Sequence, residues 1–464
     1  MTILGRRHFL AAAAVVPLTA CVSTQPPAPP GESRTGSPAS TPEPSPTVTH
    51  PFGLTVPSSV KAVIFDGAFG VGYVRDAATA MRKTYGGLRV QVAASSDITA
   101  DVAPLFADGA TPPDLVDNSG SHQLAVADIV DELLPLDDLM SSLNLEGVPI
   151  EETLYGGVVQ AGTFNGRHVA LDYALSVYGL WHSASHFAAQ GWAVPTAWDE
   201  LLELGERARE LGQDLFVWGD DAAGYYAELA ISSAIKEGGH DVRRALDNLE
   251  PEGWYHPAVT GVLQSLAECV AAGFVRYGGA YVDAQAEWSQ YQKALFYPSG
   301  SWIAREMDGR TSQGFEMTVA PVPALTAAPT LPWSAAHAQS IEQFIVPKNS
   351  ANPAGGQELL RTLLSREAAE SFARNNLVPT VVRTTVPADL ESTALAAQTR
   401  LLADAGEDVY SWRFVSHYGL SEDYNRLWGQ FLSGDLGAQA LAEELQALSD
   451  AVREDPEIPT YTVD

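Results

Sequence analysis

The sequence predicts an α/β protein with two lobes, and two features of the chain support this prediction. From Val60 onward, short apolar runs alternate with segments whose apolar residues recur with the period of a helix. Such alternation is typical of parallel sheets covered by helices. The chain has 464 residues. About 410 of them follow a leader and a Pro-rich stretch, which is enough for two large domains.

The predicted elements follow one another along the chain. Strands are predicted at Val60–Phe65, Leu88–Ala93, Asp114–Val116, Asp214–Trp218, Lys293–Tyr297, Phe315–Ala320 and Ile341–Val346. Helices are predicted at Val71–Tyr85, Asp97–Ala107, Gln123–Val130, Ala197–Leu211, Gly224–Lys236, Pro257–Ala272, Gly355–Leu364, Arg366–Asn375 and Ala438–Arg453. A longer run from His168 to Trp181 has mixed polarity, which indicates a passage from one sheet to the other.

The first residues have the features of an export signal. Arg6 and Arg7 precede an apolar run, Phe9–Leu18, that is too short to span a bilayer. The run ends in Leu18-Thr19-Ala20-Cys21, which matches the lipobox of bacterial lipoproteins, so the Cys21 sulfur is expected to carry a lipid. The alternative is ordinary secretory cleavage beside a chance cysteine. Gly5–Leu10 also resembles a twin-arginine signal, and both that route and the Sec route stay open.

Composition limits the partners of the chain. The stretch after Cys21 is rich in Pro, Ser, Thr and Gly, so it is predicted to be a disordered tether. The formal charge of −30 argues against nucleic acid and against an anionic membrane surface as partners. Cys269 lies on the apolar side of a predicted helix. With Cys21 lipidated it has no disulfide partner, so it is expected to be a buried free thiol.

Candidate catalytic motifs are weak. Gly67, Gly70 and Gly72 are spaced as G-x-x-G-x-G, unlike the dinucleotide-binding pattern, and are interpreted as a tight turn. His182 and His186 have the spacing of two metal ligands but no third ligand nearby. The pair Asp220-Asp221 is flanked by glycine, which is typical of a solvated turn. We therefore expect no catalytic residue, metal ligand or cofactor.

Aromatic residues in predicted loops are the more informative feature. Trp218 precedes a Gly-Asp-Asp turn, Tyr225-Tyr226 open a predicted helix, Trp302 follows a Gly-Ser turn, and Trp412 lies in a polar segment. Aromatic faces in a cleft suit the apolar face of a pyranose ring, while nearby polar side chains bind the hydroxyl groups. The alternative is that about half of these rings belong to the core. As a set they favour a sugar ligand.

Three segments resemble a known family. Gly179–Phe187, with Gly191-Trp192 and Val194–Leu201, is similar to a signature of the extracellular sugar-binding proteins of ABC importers. Phe296–Trp302, with Glu306, resembles the loop where that family places a stacking tryptophan. Together with Glu252–Val259, these segments resemble the branch that binds N-acetylglucosamine and chitobiose.

The resemblance implies two α/β lobes joined by a hinge around an interlobe ligand cleft, as in periplasmic binding proteins. The signal peptide is expected at residues 1–20 and the linker at 21–57. Lobe one is expected at about 58–172 and 319–349, and lobe two at about 173–318 and 350–464. Eight residues are expected to bind ligand in the cleft: Phe69, Asn118, Tyr173, Trp218, Tyr226, Ser301, Trp302 and Trp412.

The implied function is capture of N-acetylglucosamine or a chitobiose-type oligosaccharide and delivery to an importer's permease and its ATPase. The protein is expected to be a monomer anchored by lipid on the extracellular face of the cell membrane. Three alternatives stay open. The fold can serve a maltose- or cellobiose-type sugar. A secreted glycoside hydrolase would need two cleft carboxylates at catalytic separation. A lipid-anchored sugar sensor is the third.

Overall fold

Strands and helices alternate through most of the described chain. The computed structural model describes residues 52–67, 69–106, 110–120, 122–155, 158–164, 166–387, 389–458 and 460–463. The predicted signal peptide, Cys21 and most of the predicted linker lie outside these residues, so they stay predictions.

The elements are numbered in chain order. The strands are β1 Ser58–Phe65, β2 Leu88–Ser95, β3 Leu115–Asp117, β4 Thr163–Phe164, β5 Arg167–His168, β6 Ala170–Val177, β7 Gly179–Ser183, β8 Asp214–Asp220, β9 Val275–Ala280, β10 Ala294–Ser299, β11 Met317–Ala320, β12 Ala336–Ile345 and β13 Val409–Tyr410. The helices of the first half are α1 Gly72–Thr84, α2 Ile98–Val102, α3 Val126–Ile129, α4 Asp137–Ser141, α5 Ile150–Thr153, α6 Val158–Ala161, α7 Ala184–Gln190, α8 Trp198–Glu210 and α9 Tyr225–Gly238. Those of the second half are α10 His240–Asp247, α11 Pro257–Ala271, α12 Tyr281–Ser289, α13 Ile303–Glu306, α14 Pro353–Leu363, α15 Arg366–Asn376, α16 Thr393–Ala405, α17 Phe414–His417, α18 Ser421–Leu432 and α19 Ala438–Glu454.

The strands form two large sheets. In the six-stranded sheet the order is β13-β12-β3-β1-β2, and β6 also pairs with β12. In the five-stranded sheet the order is β11-β7-β10-β8-β9. Parallel pairing joins β1 to β2 and β3, as predicted, but β12 is antiparallel to β3 and β6. The six-stranded sheet is therefore mixed, because β12 enters it from the other sheet rather than through a covering helix.

The chain passes between the sheets at three places. Tyr178 joins β6 to β7, and residues 321–335 join β11 to β12. The third place follows β13, which pairs with β12 and is joined to α17 by residues 411–413. Helices α14 and α15 contact α1, and α14 also contacts β1 and β3. Pairing and packing thus place β6, α14 and α15 with the six-stranded sheet, whereas the sequence assigned residues 173–318 and 350–464 to lobe two. The lobe boundaries stay a prediction.

Apolar spacing explains how the helices cover the sheets. In α1 the buried residues are Val74, Ala77, Ala78 and Met81, which recur three and four apart and face one side. All eight residues of β6 are buried. Cys269 is a buried free thiol in α11, which confirms its predicted placement. Among the described residues, no helix combines the length and apolar composition that a membrane span requires.

Candidate functional site

A cavity of about 940 Å³ has a lining drawn from both sheets. Phe65 at the end of β1 and Asn118 just after β3 line it from the six-stranded sheet. Trp302, three residues after β10, lines it from the other sheet. In open α/β sheets the carboxyl ends of strands form the edge where ligands bind. The cavity therefore lies where the fold positions a ligand site.

Aromatic rings form one wall of this cavity. The Trp302 ring meets Tyr178 edge-on at a centroid distance of 5.5 Å. It also contacts Tyr225 at a centroid distance of 5.5 Å, with 51° between the ring planes. Gly300 is required here, since a Cβ at this position would lie 2.2 Å from the Trp302 ring. The Gly-Ser turn thus lets the indole fold back over its own backbone.

Trp412 adds a second aromatic group to the lining. It is buried, and its Nε1 has no hydrogen-bond partner among the described residues. A buried N–H group costs free energy unless an acceptor satisfies it. The Nε1 atom itself is buried, so what Trp412 offers the cavity is its ring.

Amide side chains and a carboxylate form a hydrogen-bonded row in the lining. Gln343 Nε2 donates to Asp172 Oδ1 at 3.3 Å, and Asn118 Nδ2 lies 3.5 Å from Gln343 Oε1. Asn118 also brackets Leu124, accepting from its N–H at 2.7 Å and donating to its carbonyl at 3.0 Å. The row therefore fixes the loop after β3 and presents Gln343 and Asp172 to the cavity.

A buried pair of carboxyl groups lies beside this row. Glu342 lines the cavity and is hydrogen-bonded to Asp117, which also accepts from Ser119 Oγ at 2.5 Å and Tyr73 Oη at 3.1 Å. Burial raises the pKa of Asp117 to about 6 and raises the pKa of Glu342 well above its usual range, with repulsion from Asp117 adding to the latter. The two groups therefore hold a proton at pH values where exposed carboxyls have lost theirs.

This pair is expected to make stability depend on pH. Because the folded-state pKa values are raised, the native state binds more protons than the unfolded state from about pH 4 to pH 6 and above, so stability falls as pH rises. Replacing Glu342→Gln removes one carboxyl but keeps a hydrogen-bond donor. In the parent, the free energy of unfolding falls between pH 5 and pH 8. In Glu342→Gln this fall should be smaller by about 1–3 kcal/mol, as measured by urea unfolding at the two pH values. Glu422→Gln, at an exposed carboxyl of the same cavity, is the control, and an equal change in both variants would contradict the assignment.

Arg413 lines the cavity, but its guanidinium binds backbone carbonyls of the segment around α6 and β4. Nη1 donates to the Ala161 carbonyl at 2.5 Å and Nη2 to the Thr163 carbonyl at 3.2 Å. The guanidinium also lies 4.2 Å from the centre of the Phe164 ring. Nearby His417 is neutral at pH 7, since burial and the Arg413 charge lower its pKa to about 4.

The carboxyl groups of the lining come from Asp172, Glu306, Glu342 and Glu422.

Four of the eight predicted site residues line the cavity. They are Phe69, Asn118, Trp302 and Trp412. Phe69 is partly buried and packs edge-on against Phe372 at 5.2 Å. The structure brings these four together, and their contact with a ligand stays a prediction.

The other four predicted residues are placed elsewhere. Tyr173 is fully buried, stacks on Tyr73 and donates its hydroxyl to the Leu363 carbonyl at 3.1 Å. Tyr226 is buried and donates to the Val217 carbonyl at 3.0 Å. The expectation that these two tyrosines line the cavity is corrected, because their rings fill the cores of the two sheets.

Ser301 and Trp218 require the same correction for different reasons. Ser301 is fully buried, where its Oγ accepts from the Val177 N–H at 2.9 Å and pins the crossing after β6. Trp218 lies at a separate depression of about 450 Å³, lined also by Asp220 and Asp221. Its ring is mostly buried against Tyr277, at 4.8 Å.

The neighbours Tyr225 and Tyr226 give a matched test of this placement. Tyr225→Ala should weaken sugar binding by about 1–2 kcal/mol, because Tyr225 supports the Trp302 ring at the cavity wall. Tyr226→Phe should leave binding unchanged and lower stability by about 1 kcal/mol, because only a buried hydrogen bond is lost. Calorimetric titration and a melt of each variant measure both quantities. The reverse pattern would show that Tyr226 faces the ligand.

The sequence prediction missed several lining residues. Tyr178, Asp172, Glu342 and Gln343 lie in strands or crossings whose cavity-facing positions depend on the partner strand. Glu306 was part of the family-like segment, but no site role was given to it. The sequence offers only a weak signal for Tyr178, which is a polar-tipped aromatic at the end of a long apolar run.

The motifs considered for catalysis have local structural explanations. His182 Nδ1 lies 3.1 Å from the Leu180 carbonyl, and His186 Nε2 lies 3.0 Å from Gln213 Oε1. Within the described ranges, no three His, Cys, Asp or Glu side chains come together in a way that suits a metal ion. Gly70 has φ of +59° and donates to the Gly67 carbonyl, which makes a tight turn before α1.

Comparison with known proteins decides the family. The family model described as bacterial extracellular solute-binding protein matches residues 70–370. This chain belongs to that family. The solute-binding protein is also 46% identical over 421 residues to the diacetylchitobiose binding protein NgcE of Streptomyces coelicolor, with 90% of each chain covered. The family membership predicted from the sequence is confirmed.

Solved structures share the fold of this solute-binding protein. The apo form of RafE from Streptococcus pneumoniae has a TM-score of 0.68 at 16% identity, covering 86% of this chain and 99% of that one. A chitin oligosaccharide binding protein has a TM-score of 0.63 at 16% identity, covering 85% and 98%. The sugar-binding protein MalE from Xanthomonas citri has a TM-score of 0.68 at 17% identity, covering 85% and 97%. The predicted two-lobed α/β fold is confirmed.

Proposed function

We propose that this solute-binding protein captures N-acetylglucosamine or diacetylchitobiose outside the cell and delivers it to the permease and ATPase of an ABC importer. The observation that carries the proposal is its extensive identity to a diacetylchitobiose binding protein over nearly the whole of both chains. We propose that the protein does this as a monomer.

The chemistry of the cavity supports a sugar ligand. Trp302, Tyr178 and Trp412 supply apolar ring surface, and Gln343 and Asp172 supply donors and acceptors for hydroxyl groups. A volume of about 940 Å³ is at the upper end of small-ligand sites, which leaves room for a disaccharide. The acetamido group of an N-acetyl sugar can donate to a carboxylate such as Asp172 and accept from a side-chain amide such as Gln343.

A panel of sugars tests the ligand. N-acetylglucosamine, diacetylchitobiose, maltose and cellobiose are titrated into the purified protein, and the melting temperature is recorded. A ligand that binds only the native state raises stability by about 2.7 kcal/mol at one hundred times its Kd. We expect this rise for diacetylchitobiose or N-acetylglucosamine and not for maltose. A response to maltose or cellobiose alone would replace the proposed sugar.

We propose further that the protein binds its sugar without hydrolysing it. Asp172 and Glu306 line the cavity, but each is hydrogen-bonded to a glutamine amide, Gln343 or Gln285. Incubation with chito-oligosaccharides should release no reducing ends. Turnover that copurifies with the protein and is lost in Glu306→Gln would establish the hydrolase instead.

The lipid anchor is part of the same proposal, since an importer's binding protein must stay near its permease. It rests on Leu18-Thr19-Ala20-Cys21. Cys21→Ala should release the protein into the medium or leave it unprocessed, with the sugar affinity of residues 52–464 unchanged. Partition of the variant into detergent to the same extent as the parent would reject the anchor.

A further inference from the structure

Each of the three crossings between the sheets contributes one aromatic ring to a common group. Tyr178 lies between β6 and β7, His337 is the second residue of β12, and Trp412 follows β13 by two residues. Tyr178 and Trp412 line the cavity. His337 is almost fully buried and is not part of the lining. We call these three residues the crossing rings.

The imidazole of His337 links the two cavity rings. Its centroid lies 4.6 Å from that of Tyr178 with 15° between the planes, and 5.0 Å from that of Trp412 with 19° between the planes. Near-parallel rings at this spacing attract through dispersion and their quadrupoles. Tyr178 in turn meets Trp302 edge-on. Contacts therefore run without a break from Trp412 through His337 and Tyr178 to Trp302.

The backbone of His337 is held by a hydrogen bond, and its imidazole has a carboxylate neighbour. Its carbonyl accepts from the Tyr178 N–H at 3.0 Å, which ties the first crossing to the second. Its Nδ1 lies 3.0 Å from Glu228 Oε2, on α9. The imidazole thus lies beside α9, which packs on the five-stranded sheet, and its two faces contact rings from the other two crossings.

We propose that His337 is a positioning residue for the sugar site: without touching the ligand, its flat ring sets the orientation of Tyr178 and Trp412. A sugar held by several rings needs them at fixed orientations before it binds, because ordering a loose side chain on binding costs free energy. A planar group between the crossings supplies that order. A branched aliphatic side chain fills similar space but offers no flat face.

Three substitutions separate the ring from the charge. His337→Leu removes both the ring and the contact with Glu228. His337→Phe keeps a ring and removes only the contact with Glu228. Glu228→Gln removes the carboxylate charge and leaves the imidazole in place. If ring stacking is what matters, His337→Leu should weaken diacetylchitobiose binding about three- to tenfold. His337→Phe and Glu228→Gln should stay within about twofold of the parent, because both variants keep a flat ring at position 337. Equal losses in the two 337 variants would overturn the proposal.

A readout without ligand keeps the proposal testable whatever sugar the protein binds. Emission from Trp412 is isolated as the difference between the unliganded protein and its Trp412→Phe variant. His337→Leu should shift this difference spectrum, because the indole loses its stacked neighbour, and His337→Phe should restore it. An unshifted spectrum in His337→Leu would overturn the positioning role.

The affinity measurement and the emission measurement also distinguish this proposal from the proposed function. The positioning role rests on the proposed function only for the choice of sugar. If the parent binds no sugar of the panel while the emission arm behaves as expected, the proposed ligand fails and the positioning role stands. If neither 337 variant folds, a double-mutant cycle of Tyr178→Leu and Trp412→Leu replaces them. Non-additive effects on affinity support the link between the two rings, and additive effects overturn it.

Discussion

Replacing Trp302 with alanine is expected to weaken binding of diacetylchitobiose or N-acetylglucosamine by about 2–4 kcal/mol, the scale of an interface hot spot. The indole lines the cavity, folds back over Gly300 and contacts Tyr178 and Tyr225. A sugar face stacked on it buries a large apolar area while freezing few rotamers. Calorimetric titration measures the loss.

Trp288 provides the matched control for Trp302. It is fully buried and stacks on Tyr297 at 5.7 Å. Trp288→Ala should lower the stability of the unliganded protein by about 3–5 kcal/mol because it opens a core cavity. Trp302 is only partly buried, so Trp302→Ala should melt close to the parent. A well-folded Trp302→Ala protein with an unchanged dissociation constant would remove this residue from the site.

Replacing Arg361 with leucine is expected to lower the free energy of unfolding by about 3–5 kcal/mol, because it leaves a buried carboxylate without its charge partner. Arg361 binds Glu358 through two nitrogens, at 2.6 and 2.8 Å, and the Glu358 side chain is 1% exposed. Among the described residues, the Tyr85 hydroxyl, which donates to Glu358 Oε1 at 3.0 Å, would be the side chain left to hydrogen-bond that carboxylate. Urea unfolding at pH 7 measures the change.

The double replacement shows whether the loss comes from the stranded charge. Arg361→Leu combined with Glu358→Leu removes both charges, and a buried ion pair replaced by apolar groups often costs little. The double variant should therefore be more stable than Arg361→Leu alone. If the double variant is less stable than Arg361→Leu alone, the lost stability comes from the ion pair between Arg361 and Glu358 and not from the uncompensated carboxylate. Sugar affinity should be unchanged in both, since α14 contributes nothing to the cavity lining.

Predicted and observed elements agree where apolar periodicity is strong. Helix α1, predicted at Val71–Tyr85, is Gly72–Thr84, and α11, predicted at Pro257–Ala272, is Pro257–Ala271. Agreement was weaker where a segment depends on distant partners. The strand predicted from Ile341 begins at Ala336, because β6 and β13 supply hydrogen bonds to its first half. Helices α16 and α18 were not predicted at all.

The site shows the same division between local and distant information. Trp302 and Trp412 were recognised because an aromatic residue beside Gly, Ser or polar residues is a local feature of the sequence. Tyr226 was chosen over Tyr225, although it is Tyr225 that contacts Trp302. One residue rotates a helical position by about 100°, and only packing decides which of two adjacent tyrosines faces the cavity.

The sequence by itself determined the family and the two-lobed α/β fold, because these depend on local patterns and on short signatures. Tertiary structure alone decided which side chains meet in the cavity. Glu342 and Asp117 are far apart in the chain and form a proton-holding pair only because β12 runs antiparallel to β3. His337 links Tyr178 and Trp412 only because three separate crossings converge there. Such convergence is a property of strand register and packing, which no local sequence pattern encodes.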